Sequence, residues 1–279
     1  MVSSTARVDY YRIEPVEFER ITRFAYEKFG VLLGPGKEEL VTARLAPKLR
    51  KLGLPNFAAY LAHVERDPSG LALLELIDAL TTNHTSFFRE EQHFKFLTGP
   101  ALEVLKAAPA PVIWSAACSS GEEPYSIAMW LAEYAPAIGS RLKVLATDIS
   151  TKVLAAAQKG EYPMERVEPM PKAFQAKYFA PGAGGLTVRP EVRSRVEFRR
   201  LNLVEPMTAV TQKFPVIFCR NVMIYFDART QERLVAQLAE RLVPGGYLFV
   251  GHSESLASLT QPLKYIQPAV YRQMAGWKG

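Results

Sequence analysis

The feature that most constrains the fold of this chain is the stretch WSAACSSGEEPY at residues 114–125. An apolar run at 111–113 precedes it, and apolar residues at helical spacing follow it from Ser126 to Tyr134. This order predicts a buried strand, a loop of small residues and a helix, which would place backbone N–H groups around one edge of a sheet. Doubly wound α/β proteins bind nucleotides at such an edge.

Two carboxylates, Glu122 and Glu123, begin the predicted helix. Acidic side chains are favourable at a helix N-terminus, but they would repel a pyrophosphate. The loop also has one glycine, Gly121, where a dinucleotide site would need a GxGxxG loop. The stretch therefore favours a ligand with a positively charged end. The alternative that both glutamates only cap the helix stays open.

The alternation of strands and helices continues after this unit. A second strand is predicted at 142–147 and ends in Asp148, where a carboxylate of a βαβ unit typically binds ribose hydroxyls. Later strands are predicted at 196–200 and 216–219, with helix 228–242, a turn at 244–246, strand 247–250 and a closing hairpin behind them. A parallel sheet with a terminal antiparallel strand fits this order.

Polar residues follow the later strands as well. Asn202 comes after one, and Asn221 with nearby Tyr225 comes after the next. An asparagine amide can pair with the edge of an adenine, and Glu123 can face an ammonium group. Together with Asp148 for the ribose, these side chains predict a nucleoside with a cationic amino-acid tail, S-adenosyl-L-methionine.

Residues 1–80 form a separate all-α domain in this prediction. Its helices are expected at 15–29, 37–52, 56–66 and 71–82, with a kink or an early end near residue 46 because Pro47 interrupts the second. Residues 81–110 are expected to be a linker and helix that join the domains. Residues 111–279 form the α/β domain, doubly wound and Rossmann-like, with a small β-subdomain inserted at 160–195.

Composition excludes several classes of protein. No apolar run reaches the length of a membrane span and the N-terminus lacks the apolar core of a signal peptide, so a cytoplasmic protein without membrane insertion is expected. Two cysteines, Cys118 and Cys219, are too few for a disulfide framework. The four histidines show no ligand spacing with acidic or cysteine partners, so no metal is expected, and His84, His93 and His252 are predicted to be structural. The net charge of +6 indicates an acidic partner.

Four motifs in order closely resemble the chemotaxis receptor methyltransferase (CheR) family. They are TNHTSFFRE at 82–90, WSAACSSGEEPYS at 114–126, ATDIS at 146–150 and FCRNVMIYF at 218–226. With the helical N-terminal domain, the resemblance covers essentially the whole chain. It implies methyl transfer from S-adenosylmethionine to glutamate side chains on the helical cytoplasmic domains of chemoreceptors, giving S-adenosyl-L-homocysteine and glutamate 5-O-methyl esters for adaptation.

The resemblance also assigns residues. Arg89 and Tyr225 correspond to residues beside the methyl group and the incoming carboxylate. The positions that correspond to cofactor contacts are Asn83, Thr85, Arg89, Glu123, Asp148, Asn202, Leu203, Arg220 and Asn221. The inserted β-subdomain resembles one that in some members binds a short peptide at the receptor's C-terminus.

A basic row, Arg44, Lys48 and Lys51, lies on one face of the second predicted helix. A solvated helix face is the ordinary interpretation of such a row. If the substrate is a glutamate-rich receptor bundle, the row is instead predicted to dock an acidic helix.

Other functions and roles stay open on the sequence. A nucleic-acid methyltransferase is disfavoured because no (D/N)PPY-type motif is present, with RNVMIY in its place. A non-catalytic module that senses S-adenosylmethionine is disfavoured by Arg89 and Tyr225, and a dinucleotide-dependent oxidoreductase comes last. Phe87 and Phe88 are predicted to pack between the domains, with contact to the adenine as the alternative.

Overall fold

The structure is a computed structural model that describes residues 11–81 and 83–274. The chain divides into two compact units between residues 81 and 82. Residues 81–110 were predicted to be a linker and helix that join the domains. This range contains two short helices, Gln92–Leu97 and Leu102–Lys106, which belong to the second unit.

The described part of the first unit is all-helical. Its helices are α1 (Pro15–Phe29), α2 (Glu38–Leu52), α3 (Phe57–Arg66) and α4 (Leu71–Leu80). Pro15 in the first turn and Gly30, at φ 73°, delimit α1 as the sequence predicts. The predicted early end near residue 46 is wrong, because α2 continues through Pro47 to Leu52. Leu45 and Leu49 are fully buried on either side of the proline, so packing holds the helix despite the missing N–H donor.

The second unit is built on a seven-stranded mixed sheet in the order β6-β2-β1-β7-β8-β10-β9. Its strands are β1 (Val112–Ala116), β2 (Lys143–Asp148), β6 (Val196–Arg200), β7 (Phe214–Cys219), β8 (Leu242–Phe249), β9 (Leu263–Gln267) and β10 (Val270–Gln273). The first five strands in this order pair in parallel, while β10 is antiparallel to β8 and β9. The predicted parallel sheet with an antiparallel end is confirmed.

Helices cover both faces of this sheet. They are α5 (Gln92–Leu97), α6 (Leu102–Lys106), α7 (Glu122–Tyr134), α8 (Pro136–Gly139), α9 (Thr151–Lys159) and α13 (Ala228–Glu240). Successive strand residues alternate between two cores: Ile113 and Phe218 face one, and Trp114 and Ile217 the other. Burial on both faces explains why β7 is apolar and buried over its whole length.

The strand order places a topological switch point at the centre of the sheet. The chain runs outward from β1 through β2 to β6, and then returns to the opposite side of β1 as β7. A crevice therefore opens beyond the carboxyl ends of β1 and β7, where ligands bind in folds of this kind. The loop after β1 and residues Arg220 and Asn221 after β7 lie at this point.

The inserted lobe contains a small antiparallel sheet, β3 (Glu161–Tyr162), β4 (Phe179–Gly182) and β5 (Gly185–Val188), ordered β3-β5-β4. Short helices α10 (Met164–Val167), α11 (Lys172–Tyr178) and α12 (Pro190–Arg193) accompany it. Phe87 packs edge-on against Tyr162 and Phe179 of this lobe. Phe88 packs against Phe174, Phe94 and Trp130. These contacts correct the prediction that both rings pack between the two domains, since all the partners lie in the second unit.

None of the helices in the described part of the chain combines the length and the apolar character that a membrane span requires.

Candidate functional site

The side chain of Arg220 is the centre of the crevice beyond β1 and β7. It is only 2% exposed, and its guanidinium joins three segments of the chain. Nη1 lies 2.8 Å from Glu123 Oε2, and Nη2 lies 3.0 Å from Glu90 Oε2. Nη2 also donates to the carbonyl oxygen of Arg89 at 2.7 Å. The strand β7, helix α7 and the segment before α5 are thus tied together by one buried cation.

The two glutamates that begin α7 have different partners. Glu123 accepts a hydrogen bond from Ser115 Oγ of β1 at 2.7 Å, in addition to its ion pair with Arg220. Glu122 is fully buried and pairs with Arg166 of the inserted lobe at 2.5 Å. Both side chains therefore do more than cap the helix, which was the alternative that the sequence left open.

Glu90 connects the segment before α5 to residues that follow the strands β7 and β8. Besides Arg220, it accepts the backbone N–H of His252 at 3.2 Å and lies 3.4 Å from Asn221 Nδ2. Burial raises the pKa of Glu90, but the charge and hydrogen bond of Arg220 and the His252 N–H outweigh it, so this pKa lies below its usual value. Glu90 thus stays ionised, as a partner of the buried cation must be.

Glu90 also lies beside two histidines that the sequence spacing does not connect. One ligand atom from each of Glu90, His93 and His252 lies within 4.8 Å of the others. The sequence spacing gave no ligand pattern for the histidines, and it is the fold that brings these two beside one carboxylate. The same Glu90 oxygen is already paired with Arg220, so its charge is balanced by an arginine of the chain. Burial and the positive charge of Arg220 lower the pKa of the His93 ring to about 3.

Asp148 lies at the end of β2, as predicted, and orders the loop after β1. Its Oδ2 accepts the N–H of Ser119 at 2.9 Å, and its Oδ1 accepts that of Ser150 at 3.0 Å. Ser119 Oγ in turn donates to the carbonyl oxygen of Asn83 at 3.1 Å. The β1 loop, the end of β2 and the start of the second unit therefore meet at this carboxylate.

Of the other predicted site residues, Asn202 and Leu203 follow β6 at the same edge of the sheet. The N–H of Leu201 donates to Asp148 O at 2.9 Å, which brings the next two residues, Asn202 and Leu203, beside β2. Asn202 Nδ2 donates to Glu205 at 2.9 Å, and Leu203 is buried in one of the two cores. Tyr225 is half-buried at the end of a 3₁₀ turn, Met223–Tyr225, that follows Asn221. Thr85 is also half-buried, two residues beyond Asn83.

Backbone strain is concentrated around this site. Six non-glycine residues in the described part of the chain have positive φ, and five of them lie in its loops: Phe88, Glu90, Ala117, Ser119 and Asn221. Such backbone costs on the order of 1–3 kcal/mol per residue and persists where the surroundings impose it. Gly121, at φ 95°, completes the β1 loop, and a Cβ there would come within 2.9 Å of Ala157 Cβ on α9. The loop is therefore a fixed cradle.

Sequence reasoning missed three residues of the site: Glu90, Ser115 and Glu254. Glu254 accepts the N–H groups of Asn221 and Met223, both at 2.8 Å. A signal for it was present, because it follows the predicted strand 247–250 and so falls at the same carboxyl edge as the other polar residues. Glu90 lies within the FFRE motif, next to a residue that the sequence did select.

The basic row of α2 is in the first unit, and two of its members contact α4 there. Arg44 Nη1 donates to Leu80 O at 2.7 Å, and Lys48 Nζ pairs with Glu75 at 2.7 Å. The hydrogen bond and charge of Lys48 lower the pKa of Glu75. Lys51 is exposed.

Comparison with known proteins agrees with this geometry. Residues 83–271 match the domain described as "CheR methyltransferase, SAM binding domain", and residues 16–81 match "CheR methyltransferase, all-alpha domain". The chain belongs to the CheR methyltransferase family. A chemotaxis protein methyltransferase of Borreliella burgdorferi is 40% identical over 92% of this chain and 94% of its own length. Chemotaxis protein methyltransferase 2 of Pseudomonas aeruginosa is 41% identical over 91% and 92%, and the Escherichia coli protein 39% over 93% and 91%.

This CheR protein is an S-adenosylmethionine-dependent methyltransferase of the chemotaxis system. The residues of the crevice fit that cofactor. The carboxylates of Glu90 and Glu123 lie in the crevice, and carboxylates attract the sulfonium and ammonium groups of that cofactor. Asp148 ends β2, the position at which a carboxylate of a βαβ unit typically accepts ribose hydroxyls, and asparagines follow β6 and β7.

The buried ring of His93 makes the stability of this unit depend on pH. The folded pKa of about 3 lies below the unfolded value of about 6.5, so the unfolded chain takes up the proton first as pH falls. The contribution of the neutral His93 ring to the free energy of unfolding is complete above about pH 6.5. It is lost as pH falls towards 3, at up to about 1.4 kcal/mol per pH unit. Urea unfolding between pH 7 and pH 5 should therefore show a smaller loss of stability in His93→Gln than in wild type.

The matched control is His84→Gln, which replaces an exposed histidine of the same unit. Its free energy of unfolding should depend on pH as that of wild type does. If the free energy of unfolding of His93→Gln also fell with pH as steeply as that of wild type, the assignment of a neutral buried ring would be contradicted.

Proposed function

We propose that this enzyme transfers the methyl group of S-adenosyl-L-methionine to glutamate side-chain carboxylates of chemoreceptors, forming glutamate 5-O-methyl esters and S-adenosyl-L-homocysteine. Chemotaxis as the setting is supported by the relatives, which are chemotaxis protein methyltransferases. The glutamate carboxylate as acceptor rests on the site itself and on the family resemblance. Under this proposal the acceptors lie on the helical cytoplasmic domains of the receptors.

The observation that carries the proposal is the divided role of Arg89. Its backbone carbonyl is held inside the site by Arg220, while its side chain is 33% exposed. Its Nη1 donates to His84 O at 3.1 Å, and its Nε lies 4.0 Å from Glu90. A guanidinium has five N–H donors, and these two contacts leave donors for an incoming carboxylate. An arginine fixed at its backbone and accessible at its head suits an anionic acceptor.

The reaction needs little beyond alignment. When bound, the cofactor supplies a methyl group on a positively charged sulfur that leaves as a neutral thioether. A glutamate carboxylate is ionised at neutral pH, so no general base is needed to remove a proton. Arg89 orients this carboxylate for in-line attack, and the half-buried Tyr225 holds it or the methyl group through its hydroxyl. Asp148, Asn202, Asn221 and Glu123 hold the rest of the cofactor.

Two further surfaces belong to the proposal. The row Arg44, Lys48 and Lys51 docks a receptor helix, with Lys51 as its most exposed member, since Lys48 is paired with Glu75 and Arg44 with the end of α4. The small sheet of the inserted lobe has β4 at its edge, paired only with β5 among the described strands. An extended receptor tail peptide can add to such an edge.

The first test is transfer of radiolabelled methyl from S-adenosylmethionine to receptor-containing membranes from the same organism. Label that mild base releases indicates a carboxyl methyl ester and supports the proposal. Base-stable label would indicate another acceptor atom, and cofactor binding without transfer would replace the proposal with a sensing module. Membranes lacking chemoreceptors are the control.

Loss of the acceptor contacts should reduce turnover more than cofactor affinity. Arg89→Ala should lower kcat by about 100-fold, because a poorly aligned carboxylate rarely reaches the attack geometry. Tyr225→Phe removes one hydrogen bond and should lower kcat by about tenfold. Calorimetric dissociation constants for S-adenosylhomocysteine should stay within about threefold of wild type.

Arg199→Ala is the matched control, because Arg199 is an exposed arginine on the edge strand β6. An unchanged kcat with a raised dissociation constant would remove the catalytic assignment of Arg89 or Tyr225.

Charge reversal on α2 tests the docking row. Lys51→Glu should raise the KM for receptor by about two- to fivefold at low salt and less at high salt, because an exposed ion pair is weak and screened. S-adenosylhomocysteine binding should not change. Lys152→Glu, an exposed lysine of the second unit, is the charge-matched control. A receptor KM that is equal in wild type and Lys51→Glu would eliminate docking through this residue.

A further inference from the structure

Glu254 is a buried carboxylate that receives an unusual number of backbone donors. The residue is 7% exposed. Its Oε2 accepts the N–H of Asn221 at 2.8 Å and that of Gly251 at 2.6 Å. Its Oε1 accepts the N–H of Met223 at 2.8 Å and that of Ile224 at 3.3 Å. Three of the four donors belong to the segment between β7 and α13.

The backbone of that segment is not stabilised by hydrogen bonds of its own turn alone. Asn221 has a left-handed φ of 57°, and the next residues form a 3₁₀ turn of only three residues, Met223–Tyr225. The first N–H groups of a helical turn have no partner within the turn. Glu254 supplies an acceptor for these donors, and so it selects the one backbone path on which Asn221 and Tyr225 both lie at the crevice.

The chain makes room for this contact. Gly251 follows β8, and a Cβ at this position would come within 2.9 Å of Glu254 Oε2 and would also meet the Asn221 amide. A side chain at residue 251 would therefore displace the carboxylate or the asparagine. Gly251 thus leaves the space in which Glu254 binds the backbone N–H of Asn221, at the ends of β7 and β8.

We propose that Glu254 is a positioning residue for methyl transfer, which fixes the turn from Arg220 to Tyr225 so that Asn221 meets the cofactor and Tyr225 meets the reacting groups. The inference rests on the proposed function for the role of Tyr225, and on cofactor binding alone for the role of Asn221. Glu254 itself does not touch the reacting atoms in this role. Its effect on the reaction passes through the backbone N–H groups that it holds.

The test compares Glu254→Gln and Glu254→Asp with wild type. Glutamine has the same shape, but its amide nitrogen cannot accept, so one pair of N–H groups faces a donor instead of an oxygen. Aspartate keeps the charge and both acceptor oxygens on a shorter side chain, and it serves as the conservative variant. Glu232→Gln is the matched control, because Glu232 Oε1 also accepts one backbone N–H, that of Thr260 at 2.9 Å, away from the turn.

Three quantities are measured at a temperature where each variant is fully folded: the dissociation constant of S-adenosylhomocysteine, kcat, and the KM for receptor. Glu254→Gln should weaken S-adenosylhomocysteine binding by about tenfold, the effect of losing about one well-formed hydrogen bond, and lower kcat by at least as much. The receptor KM should stay near wild type. Glu254→Asp should recover part of both losses, and Glu232→Gln should match wild type in all three.

A Glu254→Gln variant that keeps the wild-type dissociation constant and kcat while only its unfolding temperature falls would overturn the inference. If Glu254→Gln does not fold, Glu254→Asp decides. Its shorter side chain should hold the turn less well than glutamate does, so wild-type binding and wild-type kcat in that variant would overturn the inference. If wild type transfers no methyl to receptors, the proposed function fails. The binding measurement still tests the link from Glu254 to Asn221.

Discussion

The second unit of this protein depends on one buried guanidinium. The Arg220 side chain is 2% exposed and contacts Glu123, Glu90 and the Arg89 carbonyl. Glu123 lies 97 positions from Arg220 in sequence, and Arg89 lies 131 positions from it. Burying charges is costly, and removing one partner of such a group costs about 3–5 kcal/mol because the others lose their compensation. The network also places two carboxylates in the crevice, and carboxylates attract the positively charged groups of the methyl donor. The same network therefore fixes the crevice and suits its cofactor.

The network also explains where the backbone is strained. Glu90, which has a left-handed φ, is paired with Arg220 through its side chain. Asn221 also has a left-handed φ, and its backbone N–H donates to the buried carboxylate of Glu254. Ser119 is held in the same way by Asp148. Ionised partners bind N–H groups about twice as strongly as neutral ones, so they can impose backbone that the residue itself disfavours. The rigid cradle of the site is thus held by buried, ionised side chains.

The sequence predicted what local patterns determine. The strand Val112–Ala116 and helix α1 follow from the spacing of apolar residues along the chain. The residues 244–246 were predicted as a turn, but they lie inside β8, where the register with β7 shifts and accommodates Pro244 and its glycines. Glu90 and Glu254 were not predicted because their partners come from other strand ends. Only the sheet order brings those partners together, and no spacing along the chain encodes it.

The position of Arg89 next to Glu90 bears on how an arginine can assist without inhibiting. An arginine that pairs fully with the acceptor carboxylate would stabilise it before the reaction and so lower its nucleophilicity. Arg89 Nε lies 4.0 Å from Glu90, whose own charge is shared with Arg220. The guanidinium at the mouth of the site therefore already has a partial counter-charge, and its backbone cannot follow the substrate because Arg220 holds it. Under the proposed function, this arrangement orients the acceptor while leaving its electron pair available, and the reaction gains from alignment more than from neutralisation.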